Sequence, residues 1–329
     1  MRPFANRRIP EQKRHMIREE FNEFLKELKA AKENKQDIDA IVKKHEHRNV
    51  YVYNDACFKK IFADERNIAL TKDLVNACLN LVGSDCIANA KLTNPYIPGE
   101  LGYKSNEPDI VLVNERSDGE PCDRISIEVQ HKGRKIYSDR LVLYVARHTS
   151  KMAPSGEAAK LENLNLISFQ FFDSFPWSQS HNYRHTVQLR DQEHLLFFEK
   201  QTITIIEVKK FFERAREFTE DHCRLAQWLR AIDTLNREAD FGEFESDPVF
   251  RDLRDAVKLC TFSSRYLLKE GMMSIDISFE RLDAKIENSM EIAKKLLAMG
   301  KMTVPEICAV TGLYKKEVLA LQNEDSEES

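Results

Sequence analysis

The chain has 329 residues, of which 32% are charged, and its formal net charge at pH 7 is only −4. This length predicts one main domain with additions, and the balanced charge argues against a protein that coats nucleic acid with its whole surface. The seven cysteines include no C-x-x-C pair, which indicates reduced thiols rather than a disulfide framework or a zinc site. No apolar run reaches the roughly 18 residues of a membrane span, and no apolar segment follows the basic start of the chain. We therefore expect a soluble, cytoplasmic protein.

The first part of the chain predicts helices. From Ile9 to His47 the sequence is dense in Lys, Glu and Arg, and apolar residues recur at helical spacing, which predicts an amphipathic helix or a helical pair. This segment is either a solvated charged surface or an arm that grips DNA. Asn54 or Asp55 is suited to cap a short helix that runs through Phe62. The apolar positions of the next stretch, 67–81, predict a core helix.

The middle of the chain predicts a β-hairpin. Two apolar runs rich in β-branched residues, 106–113 and 125–130, flank a polar turn that contains Asp118-Gly119. If the pairing is centred on that dipeptide, Asp109 lies opposite Glu128, and the two side chains are roughly 5 Å apart on one face of the sheet.

Two facing carboxylates repel each other unless a cation lies between them. Mg²⁺ or Mn²⁺ commonly fills this role, because hard oxygen ligands suit these ions. By the two-residue period of a strand, Gln130 shares a face with Glu128, whereas Val129 points into the core. The hairpin therefore predicts a metal site mounted on a sheet.

Other strands and a helix are predicted on both sides of the hairpin. Four further segments have the composition of strands: 86–92, 164–172, 186–189 and 203–208. The segment 164–172 is apolar enough for a buried central strand. A helix is predicted at 136–148, on which Arg140 and Tyr144 lie one turn apart and share a face. We expect this face to lie near the carboxylates, where Arg140 forms a structural ion pair or binds a DNA phosphate.

A second formal E-x-K competes with the hairpin site. It is Glu207-Val208-Lys209, and it must be weighed against Glu128-Val129-Gln130. Because no Pro-Asp strand precedes the second motif, we favour the hairpin as the site.

From 211 onwards the pattern is helical, with helices predicted at 223–235 and 249–268. The helices around a glycine-containing turn at 289–321 predict a helix-turn-helix unit, which is either a packing unit or an element that reads DNA.

Changes in composition divide the chain into five predicted parts. They are a charged helical extension (1–50), a core (51–216), a helical subdomain (217–285), a helix-turn-helix-like unit (286–322) and an acidic tail (323–329).

Several blocks of sequence, in this order, resemble the PD-(D/E)xK nuclease family transposases, which are related to the Rpn (YhgA-like) recombination-promoting nucleases. The blocks are Asp55 to Phe62, Leu79-Asn80, Lys104 with Pro108-Asp109, Glu128-Val129-Gln130, and Arg140 with Tyr144. The resemblance covers about 53–212, with a weaker similarity at 292–321. It implies an α/β fold: a restriction-endonuclease-like core with a mixed central sheet flanked by helices, and helical additions at both ends.

The resemblance also implies a function, which is metal-dependent hydrolysis of DNA. Asp109 and Glu128 would bind one Mg²⁺, for which Mn²⁺ would substitute, and the carbonyl of Val129 would complete the shell. In many such nucleases the first helix also turns an acidic residue towards the metal. The candidates here are Asp55, Asp64 and Glu65.

One position departs from the family pattern. Gln130 stands where these nucleases usually have a lysine, and it can hydrogen-bond water but brings no charge. The missing charge would come from Lys104 ahead of Asp109, from Lys132 further along the strand, or from Arg140. The expected partner is DNA, and no association with a membrane is expected. Whether the protein forms a homodimer is left open.

Two other functions are open at this point. The same fold would serve as a DNA-binding or partner-binding module without turnover, and metal-dependent cleavage distinguishes the two. Transposition by this chain alone is disfavoured, because the sequence offers one hydrolytic site and no second catalytic domain for joining strands.

Overall fold

A computed structural model describes residues 11–93, 108–114, 123–131, 137–152, 161–172, 180–214, 217–218, 221–271, 289–300, 302–313, 318–319 and 321. The chain forms two compact units, Met1–Ser274 and Ile275–Ser329. The predicted division into five parts stays a prediction.

The first unit begins with a pair of helices, as predicted. They are α1 (Glu11–Glu33) and α2 (Ile38–Lys44). The apolar stripe of α1 is buried through Phe21, Leu25 and Leu28, so this helix packs as an amphipathic element of the fold.

The two helices predicted next are also present. They are α3 (Asp55–Phe62) and α4 (Ile68–Leu79). Asn54 is the N-cap of α3, because its side chain accepts hydrogen bonds from the amides of Ala56 and Cys57. Asn80 ends α4 with φ at 58°, the left-handed conformation that asparagine tolerates.

A mixed sheet of six strands forms the centre of the first unit. The strands are β1 (Ala90–Thr93), β2 (Ile110–Asn114), β3 (Asp123–Gln130), β4 (Asn163–Gln170), β5 (Arg184–Arg190) and β6 (Leu196–Glu207), in the spatial order β1-β2-β3-β4-β6-β5. Strands β3, β4 and β6 run parallel, and the other neighbours are antiparallel. The predicted central strand is β4, and it lies between β3 and β6.

Helices cover both faces of the sheet. On one face α5 (Tyr137–Lys151) packs on β4 and β6 in a cluster that includes Leu141, Leu166 and Ile205. The other face meets α3 and α4, and α3 carries aromatic side chains onto it. The rings of Phe58 and Phe169 are 6.0 Å apart there. The helices that follow the sheet include α6 (Val208–Glu213), α7 (Arg224–Asn236) and α8 (Pro248–Ala256).

Two predicted strand starts were wrong. The strand expected at 86–92 begins only at Ala90, because the side chain of Asn76 hydrogen-bonds both backbone groups of Ile87 and ties that segment to α4. The strand expected from 203 begins at Leu196, because its first half extends as a hairpin with β5.

The helix predicted at 249–268 is interrupted. After α8 the chain bends so that the amide of Val50 bonds to the carbonyl of Val257 at 2.9 Å, and the amide of Leu259 bonds to the carbonyl of Arg48 at 2.9 Å. These hydrogen bonds between distant segments of the chain replace helical ones. A 3₁₀ turn at Leu259–Thr261 and a new helical start at Ser264–Tyr266 follow.

The second unit is helical where it is described. Residues 289–299 form a helix, and Val304–Thr311 form another that opens with a capping box between Thr303 and Glu306. Gly312 ends this helix with φ at 72°. The core of the unit consists of Ala293, Ile307, Leu313, Val318 and Leu321.

The thiols and the helices of the described residues bear on two general expectations. The cysteines there are free thiols: Cys57, Cys78, Cys86, Cys223, Cys260 and Cys308. No helix there combines the length and the apolar character needed to cross a bilayer.

Candidate active site

The hairpin pairs in the predicted register. Ile110 lies opposite Ile127, and Val111 lies opposite Ser126. One residue further on in this register are Asp109 and Glu128, and each carboxyl group influences the pKa of the other. Asp109 is held in place because its Oδ2 accepts a hydrogen bond from the amide of Val129 at 2.9 Å.

Both carboxyl groups are buried, and burial shifts their protonation. Asp109 is 8% exposed and Glu128 is 4% exposed. Burial raises the pKa of Glu128 to about 8, and the neighbouring charge of Asp109 adds to this rise. Burial also raises the pKa of Asp109, against the opposing effect of Lys59. The Oε1 atom of Glu128 is buried and has no hydrogen-bond partner.

The face of α5 that carries Arg140 and Tyr144 lies beside these acids, as expected. Nη2 of Arg140 is 3.6 Å from Oε1 of Glu128. Nε of Arg140 donates to the hydroxyl oxygen of Tyr144 at 2.8 Å, and Tyr144 lies close enough to Glu128 to influence the pKa of that carboxyl group. Burial, the largest single effect, would lower the pKa of Arg140, but the charge of Glu128 and the interactions with Tyr144 and Tyr137 together outweigh it and the pKa is raised. Arg140, held by Tyr144, thus forms an ion pair with one of the two acids.

Of the three acidic candidates on the first core helix and the turn after it, Asp55 interacts with the site. Burial raises the pKa of Asp55 to about 7, and the charge of Asp109 contributes to this rise. Asp64 instead pairs with Arg66 at 2.7 Å and with Lys60 at 3.4 Å. Glu65 is exposed.

Lys59 is a site residue that the sequence analysis missed. Its Nζ lies 3.8 Å from Oδ1 of Asp109, and its side chain is 35% exposed. A signal was present in the sequence, because Lys59 follows Asp55 by four residues and therefore shares its face on α3.

The remaining predicted residues have different positions. Gln130 ends β3 and pairs in register with Gln170 of β4. Lys104 and Lys132 lie outside the described residues. His131, which was not among the predicted site residues, is half-buried; its Nε2 is 2.6 Å from the carbonyl oxygen of Tyr53, and burial lowers its pKa to about 3.

A row of polar side chains lies beside Glu128 on the same face of the sheet. Ser168 of β4 pairs in register with Glu128, so the two side chains share the face that α5 covers. The Ser168 hydroxyl is 2.9 Å from that of Tyr137 and accepts a hydrogen bond from Nε2 of Gln170 at 3.1 Å. This row extends the polar character of the site into the sheet.

The rival motif has a different environment. Glu207 is fully buried, forms an ion pair with Lys210, and its Oε2 is 2.7 Å from Nε2 of His185. Lys209 instead pairs with Glu213 at 3.5 Å. Glu207 and Lys209 thus have separate partners, and Glu207 belongs to a buried cluster with Lys210 and His185.

The side chains of the site limit which groups could be ligands of a metal ion. Within the described ranges, no group of three or more His, Cys, Asp or Glu side chains could hold a metal ion. A cation here would therefore rest on Asp109, Glu128 and backbone oxygen. Such all-oxygen donor sets suit hard divalent ions.

The fold and the site together define a class. The fold is α/β with a mixed sheet, and its hairpin brings the aspartate of a Pro-Asp pair beside the glutamate of a Glu-x-Gln. A helix with an Arg-x-x-x-Tyr pattern packs against these two acids. This is the architecture of the PD-(D/E)xK nucleases. The model of one protein family, described as PD-(D/E)XK nuclease family transposase, matches residues 52–274. The chain belongs to that family. Neither the curated proteins nor the solved structures contained a match. Nucleases of this kind generally use divalent metal ions.

Proposed function

We propose that the protein is a Mg²⁺-dependent endonuclease that hydrolyses DNA phosphodiester bonds at Asp109 and Glu128. The observation that carries this proposal is the Oε1 atom of Glu128, which is buried without a hydrogen-bond partner and has Nη2 of Arg140 at 3.6 Å, beyond hydrogen-bonding distance. A buried acceptor without a donor costs free energy, and burial raises the pKa of both acids because their charged forms are poorly solvated there. A bound cation would correct both conditions.

The donor set supports a hard divalent ion. Asp109 and Glu128 supply carboxylate oxygens and Val129 supplies a carbonyl oxygen, which together suit Mg²⁺ and also accept Mn²⁺. We propose these three residues as the metal ligands. When bound, such an ion is a Lewis acid that lowers the pKa of nearby water and offsets the negative charge that grows on the phosphate.

The other site residues orient these ligands and meet the substrate. The amide of Val129 fixes Asp109, while Arg140, held by Tyr144, forms an ion pair with Glu128, so the acids are arranged before DNA arrives. The partly exposed Arg140 would also attract a DNA phosphate. Gln130 would hold the attacking water by a hydrogen bond. Lys104 and Lys132 stay proposed phosphate contacts.

The reaction adds one water molecule across a phosphodiester. The water oxygen forms a bond to phosphorus while the bond from phosphorus to one ester oxygen breaks. The water releases one proton to solvent, and the leaving ester oxygen takes up one. No residue of the chain forms a covalent bond to the substrate. The family description further leads us to propose that this cleavage serves recombination or mobile elements.

The test is cleavage of supercoiled plasmid by the purified protein in Mg²⁺, in Mn²⁺ and in EDTA. The variants Asp109→Asn and Glu128→Gln remove one charge each and preserve the shape of the side chain. Asp123→Asn is the matched control, since Asp123 is a buried carboxylate on the same strand as Glu128 that is hydrogen-bonded by Asn114 and Asn163.

The expected result is nicking that requires the metal, is lost in both site variants and persists in the control. Absence of cleavage by the wild type, with DNA still bound, would favour the non-catalytic binding module instead. Cleavage that persists in both site variants would refute this assignment, and Glu207 would then be tested next.

A further inference from the structure

A lysine from outside the hairpin reaches the acid pair. Nζ of Lys59 lies 3.8 Å from Oδ1 of Asp109, the oxygen not used by the amide of Val129. About a third of the Lys59 side chain is exposed, so this ammonium borders both the buried acids and the solvent from which a substrate arrives.

The local structure of α3 accounts for this position. Asn54 fixes the start of the helix by accepting two backbone hydrogen bonds. Asp55 and Lys59 follow at a spacing of four residues and therefore share one face. The pKa of Asp55 responds to Asp109, and Lys59 forms an ion pair with Asp109, so this whole face of α3 is turned towards the hairpin.

The charges around the two acids are matched one to one. Glu128 has Arg140 as its cation, at 3.6 Å, and Asp109 has Lys59, at 3.8 Å. The family name specifies a lysine two residues after the second acid, but this chain has the uncharged Gln130 there. Hydrolysis of a phosphodiester builds negative charge at the phosphate, which an ammonium group stabilises.

We propose that Lys59 is a catalytic residue and that its ammonium, delivered by α3, takes the place of the lysine that Gln130 replaces on β3. This inference rests on the proposed nuclease function. Lys59 would donate a hydrogen bond to the attacking water or to a phosphate oxygen and would offset the charge of the transition state. It keeps its protons throughout and transfers none.

A simpler role makes a different prediction. If Lys59 only neutralises the buried acids while no metal is bound, it competes with the metal. Removing its charge would then tighten metal binding and leave cleavage as fast as before, or faster. Metal affinity and cleavage rate together therefore separate the two roles.

The experiment compares four variants with the wild type. Lys59→Met removes the charge, Lys59→Arg keeps it, and Lys59→Met with Gln130→Lys moves it to the strand. Lys60→Met is the matched control, because Lys60 is the next residue of α3 and pairs instead with Asp64 at 3.4 Å. The readouts are the single-turnover cleavage rate in saturating Mg²⁺, Mn²⁺ affinity by calorimetry, DNA affinity, and thermal unfolding as a check on the fold.

We expect Lys59→Met to slow cleavage at least about 100-fold, while Mn²⁺ binding is unchanged or tighter and DNA is still bound. Lys59→Arg should retain more of the rate. The double variant should recover at least about tenfold of the loss, and Lys60→Met should match the wild type.

The contrary outcomes are distinct. Wild-type cleavage with an equally active Lys59→Met variant would overturn the role of Lys59 and leave the nuclease proposal standing. Loss of Mn²⁺ binding in Lys59→Met would show that Lys59 holds the site together, which also overturns a catalytic role. A wild type that binds Mn²⁺ but cuts no DNA would overturn the nuclease proposal and this inference with it.

Discussion

In the metal-free protein, Glu128→Gln should stabilise the fold at alkaline pH. Glu128 is buried, and its pKa rises from the ordinary 4.5 to about 8 because of burial and the charge of Asp109. Between these two values the folded state binds the proton more tightly than the unfolded state does. The stability that this proton contributes is therefore complete below pH 4.5 and is lost as the pH rises to about 8.

The size of the effect follows from the same shift. Each unit of difference in pKa between the two states corresponds to about 1.4 kcal/mol, which gives a ceiling of about 5 kcal/mol for Glu128. Relaxation of the site reduces this ceiling, so we expect a gain of about 2 kcal/mol for the variant. At pH 5 glutamine replaces a neutral carboxyl group, and the gain should disappear.

The assay is urea-induced unfolding in EDTA at pH 5 and at pH 9 for the wild type and Glu128→Gln. Thr204→Val is the control, since Thr204 is buried in the same sheet and its side chain carries no charge, so its effect should be equal at both pH values. If Glu128→Gln changed the free energy of unfolding by the same amount at both pH values, the reasoning from buried charge would be refuted.

Three further changes test the fold. Glu207→Gln should destabilise the protein by about 3 kcal/mol, because it leaves the buried Lys210 without its carboxylate; urea unfolding measures this, and plasmid cleavage at low temperature should persist. Asn54→Ala should cost about 1 kcal/mol by removing the cap of α3, and the same unfolding assay would contradict us if the loss were absent. Phe58→Ala should cost about 4 kcal/mol, since this fully buried ring packs between Phe62 and Phe169; a loss below about 1 kcal/mol would show that the core is loosely packed there.

Local patterns were enough to predict the hairpin. The register of β2 and β3 could be read from the position of Asp118-Gly119, because a turn and the two-residue alternation of strands fix which residues face each other. The same holds for the cap at Asn54, which depends only on neighbouring residues. One helical turn also predicted that Arg140 and Tyr144 share a face, and the expectation that this face lies near the acids agrees with the ion pair of Arg140 and Glu128.

Contacts between distant segments could not be predicted. Lys59 meets Asp109 across some fifty residues of sequence, and no periodicity encodes that pairing. The same limit explains the broken helix after α8, where backbone bonds to Arg48 and Val50 replace helical ones. The sequence of Glu207-Val208-Lys209 also matched an E-x-K motif, and it gave no sign that Glu207 contacts His185 of the neighbouring strand.

The hydrogen bond from the amide of Val129 to Oδ2 of Asp109 makes that amide a built-in spectroscopic probe. At 2.9 Å, the electron density around the N–H group depends on whether the carboxylate is charged, protonated or bound to a cation. Its proton resonance in a ¹⁵N-labelled sample should therefore move when the occupancy of the site changes. One backbone signal would then report on the acid pair in solution, without added dyes and without turnover.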